Sequence, residues 1–319
     1  MDLIKMNEPG FYVLKPTSLC NFNCTFCSAK FLKIPLHKTV PDCLREYLIS
    51  HKVKHLSISG GEPLMNPKSY FEDLLSIMDS ISNDYEIGIT SNMSLWEKSP
   101  EDFDYLFKNP HVIVETSFQY GNERKDSNVF DESRFVNIFN KFKERYNYPL
   151  SFIYVVSEEN EQFAIDACKL ARRLNTKLSL TQQMPVGASK TLYPKHKILD
   201  LYMKIIDEGY EDCIWNTQGI YDKNCPFVDD VNKCLTCSRI LWVGLDNKVH
   251  EDYCEFLIAK NEEFPMSNRE VISPKCFGCK MLRLCNGCPI QTKYTKQIAD
   301  TYCKWMKENY NRLKEHNFI

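Results

Sequence analysis

Residues 11–27 read FYVLKPTSLCNFNCTFC, a short apolar segment followed directly by a cysteine-containing loop. The apolar segment predicts a first β-strand from Phe11 to Lys15. The loop has a Cys-x3-Cys-x2-Cys spacing, formed by Cys20, Cys24 and Cys27. Three thiolates from one loop suit a [4Fe-4S] cluster with one iron left open, or a zinc ion if a fourth ligand comes from elsewhere. No fourth Cys or His lies in the loop, which favours the cluster without excluding zinc.

The overall composition is that of a globular protein with an unusual number of cysteines. The chain has 319 residues, of which 43% are hydrophobic and 26% charged, with a net charge of −2. This charge balance does not indicate nucleic-acid binding. No segment reaches the roughly 18 apolar residues of a membrane span, and the N-terminus lacks the pattern of a signal peptide. We therefore expect a soluble, cytoplasmic protein with no membrane or nucleic-acid partner.

The 15 cysteines are the clearest deviation from average composition. Their odd number excludes complete disulfide pairing within the chain. In a reducing compartment, clustered cysteines more often bind metal or carry out redox chemistry. Ten of the 15 lie between Cys213 and Cys303, so the sequence predicts a second, C-terminal metal-binding region.

Strand and helix patterns alternate six times before that region. Each predicted strand is followed by a segment with the apolar periodicity of a helix. Such an alternation predicts a parallel sheet, open or partly closed, whose functional sites form at the carboxyl ends of the strands. The predicted strands cover residues 11–15, 55–59, 85–90, 112–118, 151–156 and 177–182.

The first loop resembles the signature of the radical S-adenosylmethionine (SAM) superfamily. Further motifs of that family follow later strands in the same order: Gly60-Gly61-Glu62-Pro63, Thr90-Ser91-Asn92 and Met184-Pro185-Val186-Gly187. The resemblance covers roughly residues 10 to 210. It implies an α/β fold, a partial (β/α)6 TIM-like barrel over residues 1–210, with a small C-terminal cysteine-rich cluster-binding domain over residues 211–319.

The resemblance also implies a cofactor-binding residue set. Phe26 and Val186 would lie beside the adenine of SAM, and Gly60, Gly61 and Glu62 would bind its methionine amino group. Ser91 and Asn92 match a ribose-contacting position. Ser117 and Gln119 fall where the family binds the SAM carboxylate or ribose. The implied reaction is reductive cleavage of SAM at the cluster held by Cys20, Cys24 and Cys27, followed by removal of a hydrogen atom from the substrate.

The C-terminal cysteines resemble the SPASM domain, an extension of many radical SAM enzymes that holds two auxiliary [4Fe-4S] clusters. This chain has two residues between Cys285 and Cys288, where the family pattern has three. The resemblance implies one cluster on Cys276, Cys279, Cys285 and Cys303 and a second on Cys234, Cys237, Cys254 and Cys288. Two zinc sites, or a zinc ribbon, are the alternative interpretation.

Cys213 and Cys225 lie between the predicted barrel and the cluster domain. Radical epimerases use a free thiol to return a hydrogen atom, and Cys225 is our candidate for that catalytic role. Ligation of a cluster, or no role, are the alternatives.

The resemblance implies modification of a peptide or protein substrate by crosslinking, epimerisation or oxidation, in the manner of peptide natural-product maturation. A flavodoxin- or ferredoxin-type electron donor is the expected redox partner. Modification of a non-peptide metabolite, such as an aminosugar or nucleotide, is a second hypothesis. A third hypothesis is a non-catalytic iron–sulfur electron-transfer protein.

Overall fold

The computed structural model describes residues 11–121, 124, 130–184, 186–189, 191, 193–215, 239–252 and 296–316. Eight strands of this part form one sheet in the order β6-β5-β4-β3-β2-β1-β7-β8. Strands β1 to β7 are parallel, and β8 is antiparallel to β7. The strands are β1 (Phe11–Leu14), β2 (His55–Ile58), β3 (Glu86–Thr90), β4 (Val112–Ser117), β5 (Ser151–Val156), β6 (Leu178–Gln182), β7 (Arg239–Val243) and β8 (Val249–Asp252).

Helices follow the parallel strands and cover one face of the sheet. Those after the first strands are α1 (Asp42–Ser50), α2 (Lys68–Ile81), α3 (Ser94–Lys98) and α4 (Asp104–Phe107). Those after β4, β5 and β6 are α5 (Glu132–Tyr146), α6 (Ala164–Leu174) and α7 (Lys195–Asp207). Near the end of the chain lie α8 (Lys296–Glu308) and α9 (Tyr310–Glu315). Among the described residues, no helix is both long and apolar enough to cross a membrane.

The hydrophobic core lies between the sheet and this helix layer. In β5 the side chains alternate, with Phe152 buried and Ile153 half-buried on the opposite face. Phe152 packs edge-on against Phe135 of α5, with ring centroids 5.2 Å apart. The even-numbered residues of β4 and β5 therefore face the helices. Their odd-numbered neighbours face the concave interior of the open barrel.

Local sequence signals explain where α5 begins and ends. The Asp131 side chain accepts a hydrogen bond from the backbone N–H of Arg134, which caps the first turn. Asn147 ends the helix in the left-handed conformation, with φ of 59°. Between these caps, Phe135, Ile138, Phe139 and Phe142 form the buried face.

The predicted fold class is confirmed: the sheet is mostly parallel, open and covered by helices, as in a partial TIM-like barrel. All six predicted strands are present, within one residue at each end. Strands β7 and β8 were not predicted, and they attach residues from beyond position 210 to the edge of the sheet beside β1. The two C-terminal helices, α8 and α9, meet at Asn309.

Candidate functional site

The three-cysteine loop lies at the carboxyl end of β1 and is fastened to its surroundings by backbone hydrogen bonds. The N–H of Ser18 donates to the carbonyl of Ile34 at 3.2 Å, and the N–H of Ala188 donates to the carbonyl of Cys27 at 2.9 Å. Within the loop, Cys20 is exposed, Cys24 is buried and Cys27 is half-buried. The loop thus extends from the end of β1 to the segment after β6. It lies at the carboxyl ends of the strands, where the barrel is open.

The Gly60-Gly61-Glu62 turn packs directly against the same loop. The N–H of Gly61 donates to the carbonyl of Thr17 at 2.9 Å, and the N–H of Glu62 donates to the carbonyl of Leu19 at 2.7 Å. A Cβ atom at Gly61 would overlap the backbone of Leu19. Glycine is required here because only a residue without a side chain lets the two backbones approach so closely.

The Glu62 carboxylate connects the ends of β2 and β3. It accepts hydrogen bonds from the N–H of Leu64 at 3.0 Å, the hydroxyl of Ser91 at 2.8 Å and the N–H of Asn92 at 2.7 Å. Burial raises the pKa of Glu62, and these three donors, with the nearby guanidinium of Arg124, oppose that shift. The carboxylate holds the two loops in one arrangement in addition to the ligand role expected from the resemblance.

The Asn92 side chain extends this network to the cysteine loop. Its Nδ2 atom donates to Oδ1 of Asn21 at 2.8 Å and lies 4.0 Å from the Sγ atom of Cys20. Its Oδ1 atom accepts from the N–H and the hydroxyl of Ser94, at 2.9 and 2.8 Å. In this structure the Asn92 side chain therefore positions the loop that carries Cys20. A ribose contact by this residue stays a prediction.

The protein raises the pKa values of two of the three thiols. Burial is the main cause for Cys20, whose pKa rises to about 11, and the charges of Glu62, Cys24 and Cys27 add to it. Burial also raises the pKa of Cys27, and the charge of Lys30 opposes that shift. These two thiols are protonated near neutral pH, so metal binding must displace their protons.

The donor set of the loop suits a [4Fe-4S] cluster. Such a cluster is held by cysteine thiolates, each bound to a different iron atom. The loop offers only sulfur donors, and Cys20 is exposed to solvent. Both features agree with a cluster that has one iron free for a small molecule.

A second group of polar side chains gathers at the end of β4. Gln119 is buried, and its Oε1 atom has no hydrogen-bond partner among the described residues. Its Nε2 atom donates to the carbonyl of Ile153 at 3.4 Å. The Ser117 hydroxyl accepts a hydrogen bond from Nη1 of Arg124. A buried acceptor without a partner is costly unless a ligand supplies a donor, which suits a polar cofactor bound here.

Arg124 is a site residue that the sequence analysis missed. It is buried, and its guanidinium lies over the rings of Phe22 and Phe130, 5.0 and 4.8 Å from their centroids. Its position in a polar loop carries no periodicity or motif that could have indicated a buried cation. A guanidinium held against two aromatic rings at the barrel mouth can bind a carboxylate.

The apolar residues expected beside adenine lie close to the cysteine loop. Val186 is buried and Phe26 is half-buried against the core. Gly187 has a φ of 70°, and a Cβ atom there would lie 2.6 Å from the carbonyl oxygen of Ser28. The segment after β6 therefore closes over the loop by backbone packing.

We expect Gly187→Ala to destabilise the protein more than Gly209→Ala. Both glycines have left-handed φ values, 70° and 76°, but a Cβ at Gly209 would meet nothing within 4 Å. Backbone strain alone costs about 1–2 kcal/mol in either variant. Overpacking against Cys27 and Ser28 adds about 1–3 kcal/mol for Gly187→Ala only. Urea denaturation of the metal-free variants measures the difference, and equal losses would contradict the packing described here.

The other predicted ligands are only partly covered by the structure. Cys303 lies on α8 and is exposed. Cys225 and seven of the proposed auxiliary ligands lie outside the described residues: Cys234, Cys237, Cys254, Cys276, Cys279, Cys285 and Cys288. Their grouping into two clusters stays a prediction, as does the role of Cys225. Cys213 is buried beside the end of α7.

Comparisons with known proteins agree with this geometry. Residues 14–171 match the family model described as "Radical SAM superfamily". A search of curated protein sequences found no match. A solved structure described as native anSMEcpe with bound AdoMet and Cp18Cys peptide is similar in fold, with a TM-score of 0.68, 16% identity and coverage of 97% of this chain and 99% of that chain. Streptococcus suis SuiB bound to its precursor peptide SuiA aligns with a TM-score of 0.62, 15% identity and coverage of 87% and 71%, respectively.

The matched range begins at the end of β1 and ends in α6. It contains the three-cysteine loop, the Gly60-Gly61-Glu62 turn and the buried network through Ser91 and Asn92. The family match and the geometry thus concern the same residues, 14–171, which are similar in sequence to the radical SAM superfamily.

Proposed function

We propose that the chain is an enzyme that cleaves SAM reductively and removes a hydrogen atom from a peptide or protein substrate. One observation carries the proposal. A continuous network of hydrogen bonds, from the buried Glu62 through Ser91 and Asn92 to the exposed Asn21, holds the three-cysteine loop against the glycine turn. The intact network argues against a simple electron carrier, which needs a cluster but no preserved small-molecule site beside it.

Separate sets of described residues bind the cluster and SAM. Cys20, Cys24 and Cys27 hold a [4Fe-4S] cluster, and the Gly60–Gly61 turn lets the methionine end of SAM approach the backbone. When bound, the cluster supplies the electron that splits SAM into methionine and a 5′-deoxyadenosyl radical. The protein orients the substrate and excludes water.

The residues at the end of β4 suit the remaining polar groups of SAM. Arg124 is held over two rings and by the Ser117 hydroxyl, which places a fixed cation where a carboxylate can bind. The unpartnered Oε1 atom of Gln119 can accept a hydrogen bond from a ribose hydroxyl. Val186 and Phe26 offer apolar surface for the adenine.

The proposal also assigns the substrate class, a peptide or protein. It is supported by the peptides bound in the similar solved structures and by the SPASM-like cysteine pattern. The two auxiliary [4Fe-4S] clusters and a flavodoxin- or ferredoxin-type donor belong to the same proposal. An anaerobic incubation with SAM, dithionite and deuterium-labelled candidate peptides tests it. A peptide mass change together with deuterium in 5′-deoxyadenosine supports the proposal, and SAM cleavage with unchanged peptides overturns the peptide assignment.

The role of Cys225 separates epimerisation from oxidation. If Cys225 returns a hydrogen atom to a substrate radical, Cys225→Ala should retain its iron and still form 5′-deoxyadenosine, yet yield no epimerised product. A cluster ligand cannot act in this way because its sulfur carries no proton once bound to iron. Iron content and chiral analysis of the product measure both properties. Loss of iron would make Cys225 a ligand, and unchanged product would favour an oxidative outcome.

A further inference from the structure

Glu115 is an ionisable residue of the barrel interior that none of the roles above uses. It lies near the end of β4, where Val114 and Thr116 are buried toward the helices and Glu115 is half-buried on the opposite face. Its register partners are Thr90 on β3 and Ser151 on β5. The carboxyl group therefore projects into the concave interior, between two residues with neutral hydroxyl groups.

The surroundings of Glu115 provide a hydrogen-bond donor but no cation. Among the described residues, no Lys, Arg or His side chain forms an ion pair with its carboxyl group. Burial raises the pKa of Glu115 to about 7, and a hydrogen bond from the Ser179 hydroxyl opposes that shift. A carboxylate that has lost part of its hydration and has no cation beside it gains strongly from a cationic partner.

The position of Glu115 relative to the SAM-binding residues indicates where such a partner would come from. Ser117, which holds Arg124, is two residues further along the same strand, about 6.6 Å nearer the barrel mouth. Thr90, the neighbour of Glu115 on β3, directly precedes Ser91 and Asn92. Glu115 thus lies one layer below the residues proposed to bind SAM, on the inner surface that a substrate group faces.

We propose that Glu115 binds a positively charged group of the substrate, an ammonium or a guanidinium, and so selects Lys or Arg side chains in a peptide. This inference rests on the proposed function, because it assumes a peptide that enters the barrel. The cation replaces the hydration that burial removes from the carboxylate. Ser179 continues to donate its hydrogen bond.

A selection from a random hexapeptide library tests the proposal without turnover. The reconstituted full chain is loaded with SAM, kept free of reductant and exposed to the library. Wild type, Glu115→Gln and Glu86→Gln are compared. Glu86 is a matched control because it is another half-buried carboxyl on the inner face, but it lies on β3 at the opposite end of the barrel from the site. We expect wild type and Glu86→Gln to enrich Lys or Arg peptides and Glu115→Gln to lose that enrichment.

Affinity measurements make the expected effect quantitative. For a selected Lys peptide and its norleucine counterpart, wild type should bind the charged form tighter by about thirtyfold, the scale of losing one partner of a buried charge pair. Glu115→Gln should bind both equally. Glu115→Asp, which keeps the charge with a shorter reach, should retain the preference at lower affinity.

The contrary outcomes are distinct from a failure of the proposed function. Absence of Lys or Arg enrichment by wild type, or the same enrichment by Glu115→Gln, overturns the inference. Weaker SAM binding by Glu115→Gln also overturns the inference, because the carboxyl group would then contribute to binding SAM. Cleavage of SAM in the absence of peptide tests the proposed function separately, and Glu115→Gln should match wild type in that assay.

Discussion

Simultaneous replacement of Cys20, Cys24 and Cys27 by alanine is expected to reduce 5′-deoxyadenosine formation to the level of a reaction without enzyme. In the proposed function the three thiols hold the cluster, and no electron can reach SAM when that cluster is lost. The assay is anaerobic incubation with SAM and dithionite, with the nucleoside quantified by mass spectrometry. The auxiliary clusters should persist, so the variant should still contain iron.

Cys43→Ala is the matched control for this variant. Cys43 is a half-buried cysteine on α1, outside the loop and the network around Glu62. The Cys43→Ala variant should therefore form 5′-deoxyadenosine at the wild-type rate. If the triple variant retained measurable SAM cleavage above the no-enzyme reaction, the assignment of these three ligands would be wrong.

Iron content should show the second large effect. Anaerobically reconstituted wild type is expected to bind about twelve irons per chain, four in each of three clusters. The triple variant should bind about eight, because it loses only the cluster of the first loop. A Cys276→Ala and Cys279→Ala double variant should bind about eight as well, but should lose an auxiliary cluster and keep the SAM-cleaving one.

Colorimetric iron analysis with parallel zinc analysis measures these contents. If wild type bound about four irons together with zinc, the assignment of two auxiliary clusters would be wrong, and the assignment of a cluster to the first loop would stand. An unchanged iron content in the triple variant would contradict the ligand role of the first loop instead.

The sequence predicted the first six strands because each carries its own local signal. Alternating or uninterrupted apolar residues are bounded by Gly, Pro or polar residues, and a periodic helix follows each strand. Strands β7 and β8 escaped prediction because they lie in the cysteine-rich part of the chain. Their attachment also depends on a pairing between Tyr12 and Arg239, which are far apart in sequence.

The site was predictable as a set of motifs but not as a network of contacts. Spacing located Cys20, Glu62 and Asn92 after successive strands. It could not show that Glu62 accepts three hydrogen bonds from the protein, or that Asn92 reaches Asn21. Such contacts depend on how two loops meet at the end of the sheet, which no local pattern encodes.

Two further residues show different limits of sequence reasoning. Arg124 lies in a polar loop, where a buried cation has no recognisable pattern. Glu115 did carry a signal, because it is a charged residue within the otherwise mostly apolar β4 segment and has the inward phase of that strand.

The products that reconstituted wild type forms from SAM under dithionite, without any added peptide, decide whether the chain is a SAM-cleaving enzyme. We expect 5′-deoxyadenosine and methionine in equal amounts, both increasing with time and both dependent on the reductant. Recovery of intact SAM from protein that holds its clusters, or formation of S-adenosylhomocysteine in place of these two products, would contradict this expectation.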